Sequence, residues 1–160
     1  MATAFGALSI NGNATPSLVP NVAAKYTQGW AAHSVSQRGN RSVTVSAANS
    51  RLTLVPGVYE VELNLTAETE DVSGTSQADA IGVVTFQLRR GGVALAGAVA
   101  QLDAQAVDRP QTISIHDIVE ITRAHVTAGT NYVEVYHSSG DAAGTDILIA
   151  NGRFIAKRLS

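Results

Sequence analysis

Val58-Tyr59-Glu60-Val61-Glu62-Leu63-Asn64-Leu65-Thr66 alternates without a break. Tyr59, Val61, Leu63 and Leu65 form one set, and Glu60, Glu62, Asn64 and Thr66 form the other. Successive side chains of an extended strand point to opposite faces, so this period of two predicts a strand with one buried side and one wet side. Pro56-Gly57 just before it predicts a turn, because proline presets φ and glycine tolerates the positive φ that many turns need.

The same period recurs on either side. Val84-Thr85-Phe86-Gln87-Leu88-Arg89 alternates and runs into Gly91-Gly92, the pair that a tight hairpin favours. The return, Val93 to about Gln101, is rich in Ala and Gly; it predicts either close approach of another sheet or subunit, or a plain edge strand. Thr112 to His116 is a strand, and Ile118 to Ile121 either continues it or contains a short helical turn. Ala128 to Asn131 is a turn, Tyr132 to His137 a strand, and Ile147–Ala150 and Arg153–Lys157 close the chain. Ser138 to Thr145 and the polar stretch Glu68 to Ala80 predict loops. The N-terminal third is less regular, with strands over Phe5–Ile10, Ser42–Ala47 and Leu52–Leu54 and a loop over Asn11–Asn21. Many short strands, and no helix-period stretch of ten residues, predict an all-β sandwich or barrel.

Composition limits what such a domain does. The 160 residues are 45% hydrophobic, 15% charged and 5% aromatic, which predicts one globular domain with an aliphatic core. A net charge of −2 with scattered basic residues gives no footprint for nucleic acid. The chain has no cysteine, consistent with folding in a reducing cytoplasm. Neither a signal-peptide pattern nor a membrane-length apolar run is present, so no membrane partner is expected.

A search for chemistry finds little. His33, His116, His125 and His137 fall into no metal-binding spacing, no Gly-x-Ser-x-Gly elbow exists, and there is no thiol. Glu68, Glu70 and Asp71, and likewise Asp141 and Asp146, sit in or beside predicted loops. They read as contact loops, as a calcium-binding set or as solvated carboxylates; none of these matches a known calcium loop. The expectation is a non-enzyme with no cofactor and no metal.

Several stretches carry a resemblance. Pro56-Gly57-Val58-Tyr59-Glu60-Val61, Phe86 to Gly92, Ala128-Gly129-Thr130-Asn131-Tyr132-Val133-Glu134-Val135 and Arg153-Phe154-Ile155-Ala156 resemble the jelly rolls of the tumour-necrosis-factor and complement-globular-head superfamily. The likeness covers roughly residues 50 to 160. It departs where Thr130 stands in place of an Asp and where Gly91-Gly92 replaces an Asn-Gly hairpin. The resemblance implies an antiparallel β-sandwich of jelly-roll type and a homotrimer, as in phage capsid decoration (cement) or head-fibre proteins. It further implies a virion role on the outer capsid surface with the major capsid protein as partner. On that view residues 31–160 form the jelly roll and residues 1–30 are an arm or the first strands. Phe5, Leu8, Leu18, Tyr26 and Trp30 would then grip the shell, or alternatively complete the domain's own core. The alternative role is a receptor- or glycan-binding module using the Glu68–Ala80 and Ser138–Thr145 loops.

Overall fold

The structure is a computed structural model that describes residues 4–14, 24–27, 29–32, 42–70, 83–103, 110–139 and 146–160. Its strands are β1 (Phe5–Ala14), β2 (Ala24–Lys25), β3 (Ala31–Ala32), β4 (Val43–Ser46), β5 (Arg51–Leu54) and β6 (Gly57–Glu70). They continue with β7 (Val83–Arg90), β8 (Val93–Asp103), β9 (Gln111–Ile121), a single helical turn α1 (Arg123–Thr127), β10 (Tyr132–Ser139) and β11 (Asp146–Arg158). They pair antiparallel into two sheets, ordered β3-β1-β11-β6-β9 and β4-β5-β10-β7-β8, with β2 added to β10. The two sheets stack as an all-β antiparallel sandwich of jelly-roll type.

The alternation of β6 decides which way the first sheet faces. Tyr59, Val61, Leu63, Leu65 and Ala67 are buried while Glu60, Glu62, Asn64 and Thr66 are half-buried on the other side. A one-residue slip would exchange the two sets, so the hydrophobic face fixes register against β9 and β11. Facing it, β7 and β10 contribute Val84, Phe86, Leu88, Val133 and Val135 to the same core. Each such side chain contributes about 1.5–3 kcal/mol by leaving water, which is how a domain with few aromatics holds together.

Backbone pairing extends several strands past their sequence signals. β1 runs to Ala14, not into a loop at Asn11, because β11 offers it a ladder as far as Ile149. β6 continues through Glu68 to Glu70, which places the start of the expected Glu68–Ala80 loop in a strand. Likewise β10 reaches Ser139. The last two runs are one strand, β11, and a register shift between Ile149 and Asn151 absorbs the interruption. Ile118 to Ile121 stays extended, and the helical turn follows it. Thr122 caps that turn: its hydroxyl accepts from the His125 amide, and His125 Nδ1 accepts from the Thr122 amide at 3.0 Å.

At the β7–β8 hairpin Gly91 and Gly92 have φ of +55° and +83°. A Cβ on Gly91 would collide with Thr130, so glycine there serves both the turn and the approach of α1's exit loop. No helix among the described residues is long and apolar enough to cross a membrane.

Candidate functional site

The two flanks of the sandwich are finished differently. On one, Ala24–Lys25 pairs with Tyr136 and His137 of the second sheet, and Ala31–Ala32 pairs with Leu8 and Ser9 of the first. The segment between them therefore crosses from sheet to sheet like a strap. Tyr26 and Trp30 fill the space beneath it, with ring centroids 5.6 Å apart and nearly perpendicular. His137 joins from β10, 5.5 Å from Tyr26 and 6.5 Å from Phe86, and Trp30 lies 6.2 Å from Phe154. Burial pushes the His137 imidazole down to about 4, and raises the Tyr26 phenol, because a charged form would be stranded in an apolar site.

On the other flank β8 and β9, the outermost strands of the two sheets, lie against each other. No strand covers these edges among the described residues; Val93 (66%), Val99 (46%) and Ile118 (51%) are exposed along them, Ile118 on the outer face of the first sheet opposite Glu60 and Val99 on that of the second opposite Gln87. Ala94, Ala96 and Gly97 are exposed too, so the Ala/Gly-rich return is an edge strand.

The outer face of the first sheet is polar. Glu60 accepts from Lys157 Nζ at 3.3 Å and lies 3.0 Å from His116 Nε2. These two neighbours, His116 foremost, hold the Glu60 carboxyl below the usual carboxylate range. Further along the same face the cross-strand rows open into a shallow groove of about 310 Å³, lined by Ser9, Asn64, Thr66, Thr112, Asn151 and Arg153 among others. Asn64 is fixed there, donating to Glu62 and accepting from Ser114 Oγ at 2.7 Å.

The candidate residues from the sequence scatter over this frame. Leu8, Tyr26 and Trp30 are in the domain's own core, and Phe5 is half-buried opposite Lys157. Leu18, Asp71 and Asp141 lie outside the described residues. Glu68, Glu70 and Asp146 are in strand backbone, with Asp146 paired to Glu70 and Leu148 to Glu68. Among the described residues no three His, Asp or Glu side chains gather as a metal site would need. What the sequence did not single out are the exposed Val93, Val99 and Ile118 of the two edge strands, whose signal was present only as apolar residues where an alternating strand would put polar ones.

No protein-family model matches the chain, and no curated protein matches it significantly in sequence. Solved structures do match. The PRD1 vertex protein P5 is 14% identical with a TM-score of 0.58, covering 100% of this chain and 99% of that one. The Eiger TNF of S. frugiperda is 11% identical with a TM-score of 0.58, covering 98% and 94%. Murine APRIL is 11% identical with a TM-score of 0.50, covering 97% and 99%. The likeness is one of fold.

Proposed function

We propose that this jelly roll is a non-enzymatic structural protein of a phage particle, a homotrimer that decorates the outer surface of the shell and steadies it by binding the major capsid protein. The observation that carries the reading is the open flank. A monomer would leave Val93, Val99 and Ile118 in water on two adjoining edge strands, whereas association with copies of itself covers them. The end-to-end match to a vertex protein supports a place on a virion. A subunit that binds only the assembled lattice shifts the assembly equilibrium toward the lattice by mass action. Contact with the shell through the N-terminal segment falls to Phe5 and Leu18, since Leu8, Tyr26 and Trp30 are committed to the core.

Light scattering should give three times the 16.6 kDa of one chain; a monomer at micromolar concentration counts against the proposal. Occupancy on purified shells should drop for Phe5→Ser combined with Leu18→Ser, and an unchanged occupancy removes the segment from the contact. A second reading, a glycan-binding module, is favoured by the amide- and hydroxyl-lined groove on the first sheet. Thr66→Val and Asn151→Ala should then abolish hits on a glycan array, and an array without hits rejects it.

A further inference from the structure

The outer face of the second sheet carries a cluster of charged and aromatic side chains. β10 turns Val133, Val135 and His137 inward, so Tyr132, Glu134 and Tyr136 share the outer side. Directly opposite Glu134 stand Arg51 on β5 and Arg89 on β7. Lys25 on β2 stands opposite Tyr136 and binds the Glu134 carboxylate at 2.8 Å. Glu134 is 3% exposed, so this single anion is sealed beneath its neighbours. The two guanidiniums do not join it. Arg51 lies over the Tyr132 ring at 4.7 Å and Arg89 over the Tyr136 ring at 4.0 Å.

Among the described residues, three cations around one carboxylate leave two positive charges unmatched, in a chain whose net charge is −2. Arg51 is the less satisfied of the pair, because its Nε is buried without a hydrogen-bond partner among the described residues. Arg89 reaches Gln87 Oε1 at 3.2 Å and the Gly92 carbonyl at 3.4 Å. The Nε itself is closed to solvent, so an arriving oxyanion would be met by the terminal amino groups of the half-buried guanidinium.

We propose that this cluster docks an acidic, extended segment of a partner protein, with Arg51 and Arg89 as its two prongs. The inference rests on the reading of the chain as a protein that assembles with other proteins, and names the chemistry of one such contact. A protein fits better than a saccharide. One face of each tyrosine ring is already covered by a guanidinium, which leaves less ring to stack on a sugar, and the groove suited to a small ligand is on the opposite sheet. Arginine and tyrosine together on a sheet face are also the residues that dominate protein–protein contacts. The two arginines flank β10 from neighbouring strands, so their backbones are about 10 Å apart. Carboxylates two to four residues apart on one face of an extended segment span a comparable distance.

The test uses the full chain and a fluorescent ten-residue peptide of alternating Glu and Thr, with a Gln-Thr peptide as the neutral control. Fluorescence anisotropy should show saturable, salt-sensitive binding of the acidic peptide only. Arg51→Gln and Arg89→Gln should each weaken it by at least about tenfold. Arg51→Lys, which keeps the charge but loses the fork, should fall between. Arg123→Gln, on the exposed helical turn, should leave the affinity unchanged. Melting temperatures and light scattering on the same variants confirm that fold and self-association persist. Equal binding by Arg51→Gln and Arg89→Gln, or an equal loss in Arg123→Gln, overturns the site. Tighter, arginine-dependent binding of polygalacturonate overturns the choice of a protein partner. A parent chain that is monomeric yet binds the peptide through these arginines refutes the trimer while leaving the site standing.

Discussion

The strapped flank and the open flank solve the same problem in opposite ways. Both are places where a two-sheet sandwich must stop and where aliphatic side chains would meet water. On the strapped flank the chain spends its own residues, and Tyr26 and Trp30 close the gap with 0% and 8% exposure. On the open flank it leaves Val93, Val99 and Ile118 uncovered. The difference teaches that burial within one chain is a choice made locally. A flank sealed by its own chain contributes to folding stability, and a flank left apolar contributes to association.

The sharpest way to break the contrast is to remove the seal. Trp30→Ala and Tyr26→Ala should each cost about 3–5 kcal/mol, read as a lower urea midpoint at constant m-value. Tyr26→Phe should go the other way. Among the described residues the Tyr26 hydroxyl is buried without a partner, so its removal should stabilise by about 1 kcal/mol. A loss of stability instead would mean that the hydroxyl is bonded in solution.

Acid should open the strapped flank first. His137 is held at about 4, below its ordinary 6.5, so the unfolded chain binds the extra proton over that interval. Stability is therefore full above pH 6.5, falls as pH drops towards 4, and levels off below; the total is about 3 kcal/mol. Exposed tryptophan fluorescence should report the opening, since Trp30 is the chain's one tryptophan. His137→Phe should flatten this part of the pH profile.

The open flank should respond least in stability and most in mass. Val93→Thr, Val99→Thr and Ile118→Thr should each change the unfolding free energy by no more than about 0.5 kcal/mol. The triple variant should nevertheless scatter light as a smaller species. If it unfolds early and keeps its mass, the open flank is a piece of core and the contrast is lost.

How much of this the sequence disclosed follows from how local each feature is. The β6 strand, the Gly91-Gly92 hairpin and β10 were legible because periodicity and turn chemistry are written in consecutive residues. β2 and β3 were not, since two-residue strands have no period and exist only because β10 and β1 offer free edges. Tyr26 and Trp30 were visible as apolar residues, but whether they faced inward depended on a strap that no local signal announces. The Lys25–Arg51–Arg89 cluster was invisible for a related reason. Its members come from three strands scattered along the chain, and only the register of β10 gathers them about Glu134. One hint was present: Glu134 sits on the side of β10 that the alternation assigned to water, between two tyrosines. The Glu60 neighbours His116 and Lys157 were hidden in the same way.

The placement of β11 also governs how the molecule comes into being. β11 lies between β1 and β6, pairing with Phe5–Ala14 on one side and with Tyr59–Glu70 on the other. Until its residues leave the ribosome, both neighbours wait with unpaired edges and an uncovered greasy face. Closing loops of that length makes folding slow, on the order of milliseconds to seconds. A nascent chain stalled before Asp146 has β6 and β9 of its first sheet but not the strand that joins them to β1, and is the species a chaperone would be expected to hold.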